Sequence, residues 1–216
     1  MASLLTSILN FFSIRRRTRP RVDEGTLYSG CGIPVTEEQL ELERQSNEEV
    51  IKLLEASVVA SGLFRGDKIP ELIAILRGAS SPFARVNTRV AFGGDTLLTV
   101  KEKKVLGLNS RMKYSKKLIQ YFEPSVLRSI EPKAALEGMH LDAFHRVSRK
   151  NELRRFKELG FVEKVKIVPC GDERDCGQIK RFKKIWRIEE VPELPLPGCD
   201  APYCRCMYEP IISRDV

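Results

Sequence analysis

The chain has 216 residues, 42% of them apolar, which is enough for a buried core and excludes wholesale disorder. A single Trp among 7% aromatic residues predicts a mainly aliphatic core. The net charge of +8 suits a polyanionic partner (nucleic acid, an anionic membrane surface or an acidic protein) and equally suits a solvated surface kept soluble by charge.

The charge is unevenly placed. Residues 15–21, RRRTRPR, hold five arginines and no acid, and residues 149–187 hold thirteen Lys/Arg against six Asp/Glu. Residues 23–62 reverse this, with nine acids against two bases.

The opening stretch MASLLTSILNFFSIRRR carries an apolar run of roughly a dozen residues, too short to span a bilayer. No positive charge precedes it and no small-x-small site follows, so it is a poor signal peptide and a cytoplasmic location is expected. Leu5, Ile8, Leu9 and Phe12 would share one side of a helix, and Arg15, Arg16 and Arg17 follow at once. That pattern suits peripheral membrane contact, docking on a partner, or packing against the chain's own core. Residues 15–34 read as a linker, so 1–34 form the first region.

A mainly helical region is expected over 35–147. Thr36 precedes Gln39 in a capping-box pattern, and Leu40, Glu43, Asn47, Ile51, Leu54 and Val58 follow at helical spacing. This predicts a helix over 37–61 ended by Gly62. A short helix follows Pro70, with Leu72, Ile73 and Leu76 inward. The run RVNTRVAFGGDTLLTV, ending at Val100, suits a hairpin about Gly-Gly-Asp. Its alternative is a loop leading into a helix over TVKEKKVLG. A helix over KKLIQYF should start at Ser115 and stop at Pro124, and another should start near Pro132. His140 and His145, five apart, do not share a helix face as zinc-protease ligands do. Asp142 lies three residues before His145, within reach of it on a helix. GLNSRMKYSKK mixes basic residues with Tyr114, a pattern that can hold phosphate and stack a base, though a charged helix face explains it as well.

The third region is 148–216. Ser148 is a candidate cap for a basic helix with Leu153, Phe156 and Leu159 as its apolar stripe. Gly160 is placed for a left-handed turn, with Phe161 folding back. Lys164-Val-Lys-Ile alternates as a half-exposed strand, and a second strand is expected through KKIWRIEEV. A basic helix followed by a basic ribbon resembles the end of a winged-helix domain in outline. There the helix would enter a groove through Arg149, Lys150, Arg154, Arg155 and Lys157, with Lys180, Arg181, Lys183 and Lys184 on the ribbon.

Five of the six cysteines fall in the last 47 residues, as Cys170-x5-Cys176, then 22 residues, then Cys199-x4-Cys204-x-Cys206. Two close groups of thiols on separate turns are how tetrahedral zinc sites are built. Zinc is therefore the expected cofactor, with one thiol in surplus. Cys206 is the expected spare, because alternate residues of an extended segment face opposite ways. Disulfides and free thiols stay open as alternatives; the former need an oxidising compartment. A catalytic cysteine would want a histidine base, and only His140 and His145 exist.

The tail DERDCGQIKRFKKIWRIEEVPELPLPGCDAPYCRCMYEP resembles the C-terminal segment of head-morphogenesis (minor head, Mu F-type) proteins of tailed phages. The likeness lies in the Asp-Cys pair, the P-x-x-P step and the Cys-Arg-Cys close, over about 40 of 216 residues. This chain has Ile179 where that pattern has a second Cys, and Pro202 and Tyr203 where it has His-Pro. The resemblance implies a metal-bound terminal knuckle and a role in assembly.

The expected fold is α+β, with a helical N-terminal half, a mixed helix and hairpin C-terminal half, and a zinc-clamped tail. The expected function is a non-enzymatic, zinc-stabilised module whose basic face contacts nucleic acid or an acidic protein. A phage or mobile-element assembly protein and a membrane-surface protein held by residues 3–21 are the alternatives.

Overall fold

Thr36 leads into α1, Glu37–Ser61, in the computed structural model, which describes residues 36–79, 91–93, 96–173, 175–179, 184–201 and 203–212. The apolar N-terminal segment and its arginines, Arg15, Arg16 and Arg17 included, lie outside the described residues. The chain divides into two units, Met1–Glu37 and Glu38–Val216, and nearly all described residues belong to the second.

Of the predicted stripe, α1 buries Leu40, Ile51, Leu54 and Val58, with Val50 beside them, while Glu43 and Asn47 are half-buried. Gly62, at φ +65°, ends the helix in the left-handed region that favours glycine. A 3-10 turn, Gly66–Lys68, then leads into α2, Ile69–Gly78, with Pro70 in its first turn and Leu72, Ile73 and Leu76 buried.

The hairpin expected before Val100 is not what the described part forms. Residues 80–90, 94 and 95 lie outside the description; Ala91 and Phe92 are helical and Leu97 makes one isolated bridge, to Ser115. The alternative holds instead: α3 runs Val100–Leu106. The cause is a reciprocal cap. The Thr99 hydroxyl accepts from the Glu102 N–H at 3.2 Å, and the Thr99 N–H donates to the Glu102 carboxylate at 2.7 Å.

A shorter helix than expected follows Ser115: α4 is only Lys116–Ile119, with the Ser115 hydroxyl accepting from Leu118 N–H. Tyr121 and Phe122 leave the helical path because their backbone pairs with residues 63–65. Arg65 N–H donates to Tyr121 O and Glu123 N–H to Leu63 O, each at 2.9 Å. Both rings are then fully buried.

The two helices expected on either side of Ser148 are one. Helix α5 runs unbroken from Pro132 to Leu159. Its start is capped by the Glu131 carboxylate on Ala134 N–H, and its end is Gly160 at φ +71°. Ser148 therefore sits mid-helix, and a boundary between 147 and 148 falls inside an element. Phe161 does not fold back; it is 58% exposed, and Val162 is buried in its stead.

Among the described residues three strands follow: β1 Lys164–Val168, β2 Ile185–Arg187 and β3 Met207–Ile211. They form an antiparallel sheet in the order β2-β1-β3. Val165 and Ile167 face inward with Trp186 and Tyr208; Lys164 lies opposite Arg187 and Ile211 on the other face. The class is thus α+β, helical first and with a small sheet after.

Two apolar clusters form within the second unit. One gathers α1–α4 around Leu54, Leu72, Tyr121 and Phe122. The other lies under the sheet, around Phe156, Val165, Ile188 and Tyr208. Helix α5 belongs to both: it gives Leu136, Ala143 and Val147 to the first and Phe156 to the second.

Candidate thiol cluster and basic surface

The turn after β1 is built on a carboxylate. Asp175 accepts from the N–H groups of Cys170, Gly171 and Asp172 at 3.1, 2.7 and 3.1 Å. Gly171, at φ +85°, allows that reversal. Arg205 clamps the turn from the far segment with a two-pronged ion pair to Asp172. That pair holds the Arg205 guanidinium above its ordinary pKa.

The second tie joins the two cysteine groups. Gly177 N–H donates to the Asp200 carboxylate at 3.0 Å, so the residue after Cys176 is bonded to the residue after Cys199. Cys199 N–H closes its own turn on Leu196 O, and Gly198 at φ +74° precedes it.

These ties bring four thiols together. Cys176, Cys204 and Cys206 are buried in the second apolar cluster, and the half-buried Cys199 packs against it. Cys199 lies close enough to Cys176 and Cys204, and Cys204 to Cys206, for each to shift its neighbour's ionisation. The hydrogen bond from Cys206, aided by the charge of Arg149, brings the Cys204 thiol down to about 6. Burial, with its bond to Cys176, pushes the Cys199 thiol up to about 11. Cys206 is raised because it holds its proton toward Cys204.

Cys170 stands apart. It is exposed, and its sulfur donates to Arg205 O at 3.2 Å. The expected spare, Cys206, is instead inside the group. The segment is not a strand until Met207, so the opposite-faces objection to Cys204 and Cys206 does not apply. None of these five cysteines is in a disulfide. Among the described residues no group of three or more His, Cys, Asp or Glu is arranged to hold a metal ion as it stands.

The basic residues have separate fates. Arg149, expected on a nucleic-acid face, is only 5% exposed. It donates to Cys204 O at 3.0 Å, Cys206 O at 3.2 Å and Leu194 O at 3.5 Å. It is a tie from α5 to the tail and is not available to a phosphate. Lys150 is exposed but pairs with Glu49 on α1 at 2.5 Å. Arg154, Arg155 and Lys157 are exposed, Arg154 with Glu158 at 3.8 Å. Lys184 lies 3.9 Å over the Trp186 ring. Lys180, Arg181 and Lys183 lie outside the described residues. Lys164 and Arg187, side by side on the outer face of the sheet and both exposed, join the exposed set.

Asp142 bonds Arg146 at 2.7 Å, and His145 stacks on Tyr203 with ring centroids 6.0 Å apart. His140 is buried.

Sequence reasoning missed Asp175 and Asp200, and it singled out Arg149 for an exposed role that its burial overturns. The first two carried a signal, since one directly precedes a cysteine of the cluster and the other directly follows one. Arg149 carried none that separates it from Lys150. Compared with family models, curated proteins and solved structures, the chain finds no match. Among the described residues no helix is long and apolar enough to cross a membrane.

Proposed function

We propose that the chain is a non-enzymatic binding protein, its cysteine-rich part stabilised by zinc, that holds nucleic acid on a basic surface. The observation that carries this is the set of exposed cations that the last turns of α5 and the sheet segment present: Arg154, Arg155 and Lys157 on the helix, and Lys164, Lys184 and Arg187 on or beside the strands. Lys164 and Arg187 face each other across the β1–β2 register, which gives two adjacent cations on a rigid support. Their nearby acids are weak competitors. Glu158 and Glu189 sit at 3.8 and 3.9 Å from Arg154 and Arg187, in exposed pairs that water screens.

A surface of this kind binds phosphates and not bases, so affinity should depend on salt more than on sequence. With four phosphate contacts, the affinity for duplex DNA should fall about a hundredfold between about 50 and 200 mM salt. Lys164→Glu with Arg187→Glu should weaken binding and flatten that dependence. Fluorescence anisotropy with short duplex DNA and RNA measures both. An isotherm unmoved by salt would sink the reading.

The second reading is an assembly role, as the Cys-Arg-Cys tail suggests. Exposed Phe161, Ile185, Met207 and Ile212 favour it, since they suit a protein partner. Capsid or portal chains co-purifying without any nucleic-acid binding would select it.

A further inference from the structure

Arg149 presents a problem of charge. It is a guanidinium, permanently ionised, and it is nineteen-twentieths withdrawn from water. Among the described residues no carboxylate forms an ion pair with it. Glu152, one turn on, feels its charge without bonding it. Three backbone carbonyls accept from its Nη atoms, and its Nε has no hydrogen-bond partner. Carbonyl dipoles satisfy donors but do not neutralise a buried charge. Two of those carbonyls belong to Cys204 and Cys206, so the missing negative charge is most readily supplied by the thiols those residues carry.

We infer that Cys176, Cys199, Cys204 and Cys206 form a four-thiolate site for one zinc ion, that Cys170 lies outside it, and that the buried Arg149 is its counter-ion. This rests on the zinc reading above and names its ligands. The four sulfurs come from two turns already tied together by Asp200 and Gly177. Zinc–sulfur bonds of about 2.3 Å require the four sulfurs to stand about 3.8 Å apart in a tetrahedron. In the described conformation the four thiols do not converge on one point, so loading requires them to lose their protons and rotate inward. The balance is simple. One zinc ion enters as a dication, each thiol that still holds its proton loses it to solvent, up to four in all, and the centre of four thiolates is left doubly negative. Arg149 offsets half of that charge at a distance of one backbone carbonyl. Cys170 is excluded because its turn is completed by Asp175 and its thiol is engaged with Arg205 O. Soft, all-sulfur, tetrahedral donors select zinc over hard cations.

The test uses the full chain, reduced, stripped with chelator and titrated with zinc and separately with cobalt(II). One equivalent should bind, and the cobalt form should show the intense thiolate-to-metal absorption of four sulfurs in a tetrahedral field. Cys170→Ser should bind as the parent does. Serine at 176, 199, 204 or 206 should each weaken retention against chelator at least tenfold. Arg149→Met should do the same, with partial rescue in Arg149→Lys. The cobalt spectrum of the unmutated protein counts thiolates directly and so decides the ligand number even where a serine variant does not fold. Three results would overturn the inference: no bound equivalent, loss of metal in Cys170→Ser equal to the others, or a disulfide among the four in protein kept reduced. Arg149→Met holding zinc as tightly as the parent would remove the counter-ion. Metal content is read without nucleic acid, so its failure is distinct from failure of the salt-dependent binding.

Discussion

Gly107 shows how one residue can constrain two elements. It ends α3 at φ +74°, and a Cβ there would stand 2.5 Å from Cγ of Arg128. The near atom is close to the Arg128 backbone, so the clash is not relieved by swinging the tip of a long side chain. Gly107→Ala should lose about 1–2 kcal/mol from the left-handed backbone alone, with the clash added. Urea denaturation against the parent measures it, and a neutral result would show that the turn can rearrange. Buried charge behaves differently at this scale. Lys103 reaches Ser110 O and Met112 O at 2.6 and 3.0 Å, and Arg149 reaches three carbonyls. Neither burial was legible in the sequence. Lys103 and Lys104, or Arg149 and Lys150, read alike as charged neighbours, and only the helix's rotation against its support tells them apart.

At the scale of elements, the caps are strong enough to perturb. Thr99 and Glu102 bond reciprocally, and Lys116 adds an ion pair to Glu102 at 2.7 Å. Thr99→Ala should cost about 1 kcal/mol. The Glu102 carboxyl is held down to about 2, first by Lys116 and then by Thr99. A depressed carboxyl gives stability that is present above its unfolded value near 4.5 and lost as the pH falls toward 2. Acidification through that window should therefore weaken the parent's α3 cap, and Glu102→Gln should remove this contribution. Amide exchange at Glu102 and its neighbours reads the difference; equal acid sensitivity in both proteins would count against the assignment. Elements of this kind were the most legible. The stripe of α1, the Pro70 and Gly62 signals, and the alternation of β1 each reflect a local rule that burial then follows. β3 was not legible. Met-Tyr-Glu-Pro-Ile carries a proline that argues against a central strand, and the strand survives because it lies at the edge of the sheet. The continuity of α5 was hidden for a related reason. Ser148 has the form of a cap, but residues 132–147 already supply a helix for it to continue.

At the scale of the molecule, α5 is the element shared by both apolar clusters, with Arg149 reaching the tail and Lys150 and Asn151 reaching Glu49 and Ser46 on α1. Breaking it should be felt on both sides. Ser148→Pro removes a mid-helix hydrogen bond and should cost about 3 kcal/mol or more. The one Trp, Trp186, packs against the sheet cluster, while ellipticity in the far ultraviolet is dominated by the helices. The two signals should shift to lower urea together. Loss of the Trp signal alone would mean that the sheet end unfolds independently of the helical end. Much of the thiol cluster was also readable at this scale, since the grouping of Cys170 and Cys176 against Cys199, Cys204 and Cys206 announced convergence. Which thiol stands outside depended on the Asp175 turn and on where β3 begins, and neither is a matter of spacing.

The strand order β2-β1-β3 also sets a sequence in time. β1 can pair with β2 as soon as the intervening turn closes, but its other edge waits for a strand that follows Cys206 in the chain. Contacts between distant segments form late, because closing a long loop precedes any gain from it. Until β3 docks, the tail is a loose strap, Arg149 lacks its carbonyls, and Cys204 and Cys206 are apart from Cys176. A newly made chain would thus pass through an interval with its thiols accessible to oxidation and one sheet edge unpaired. Completion of the sheet and burial of Cys176, Cys204 and Cys206 are therefore the same event.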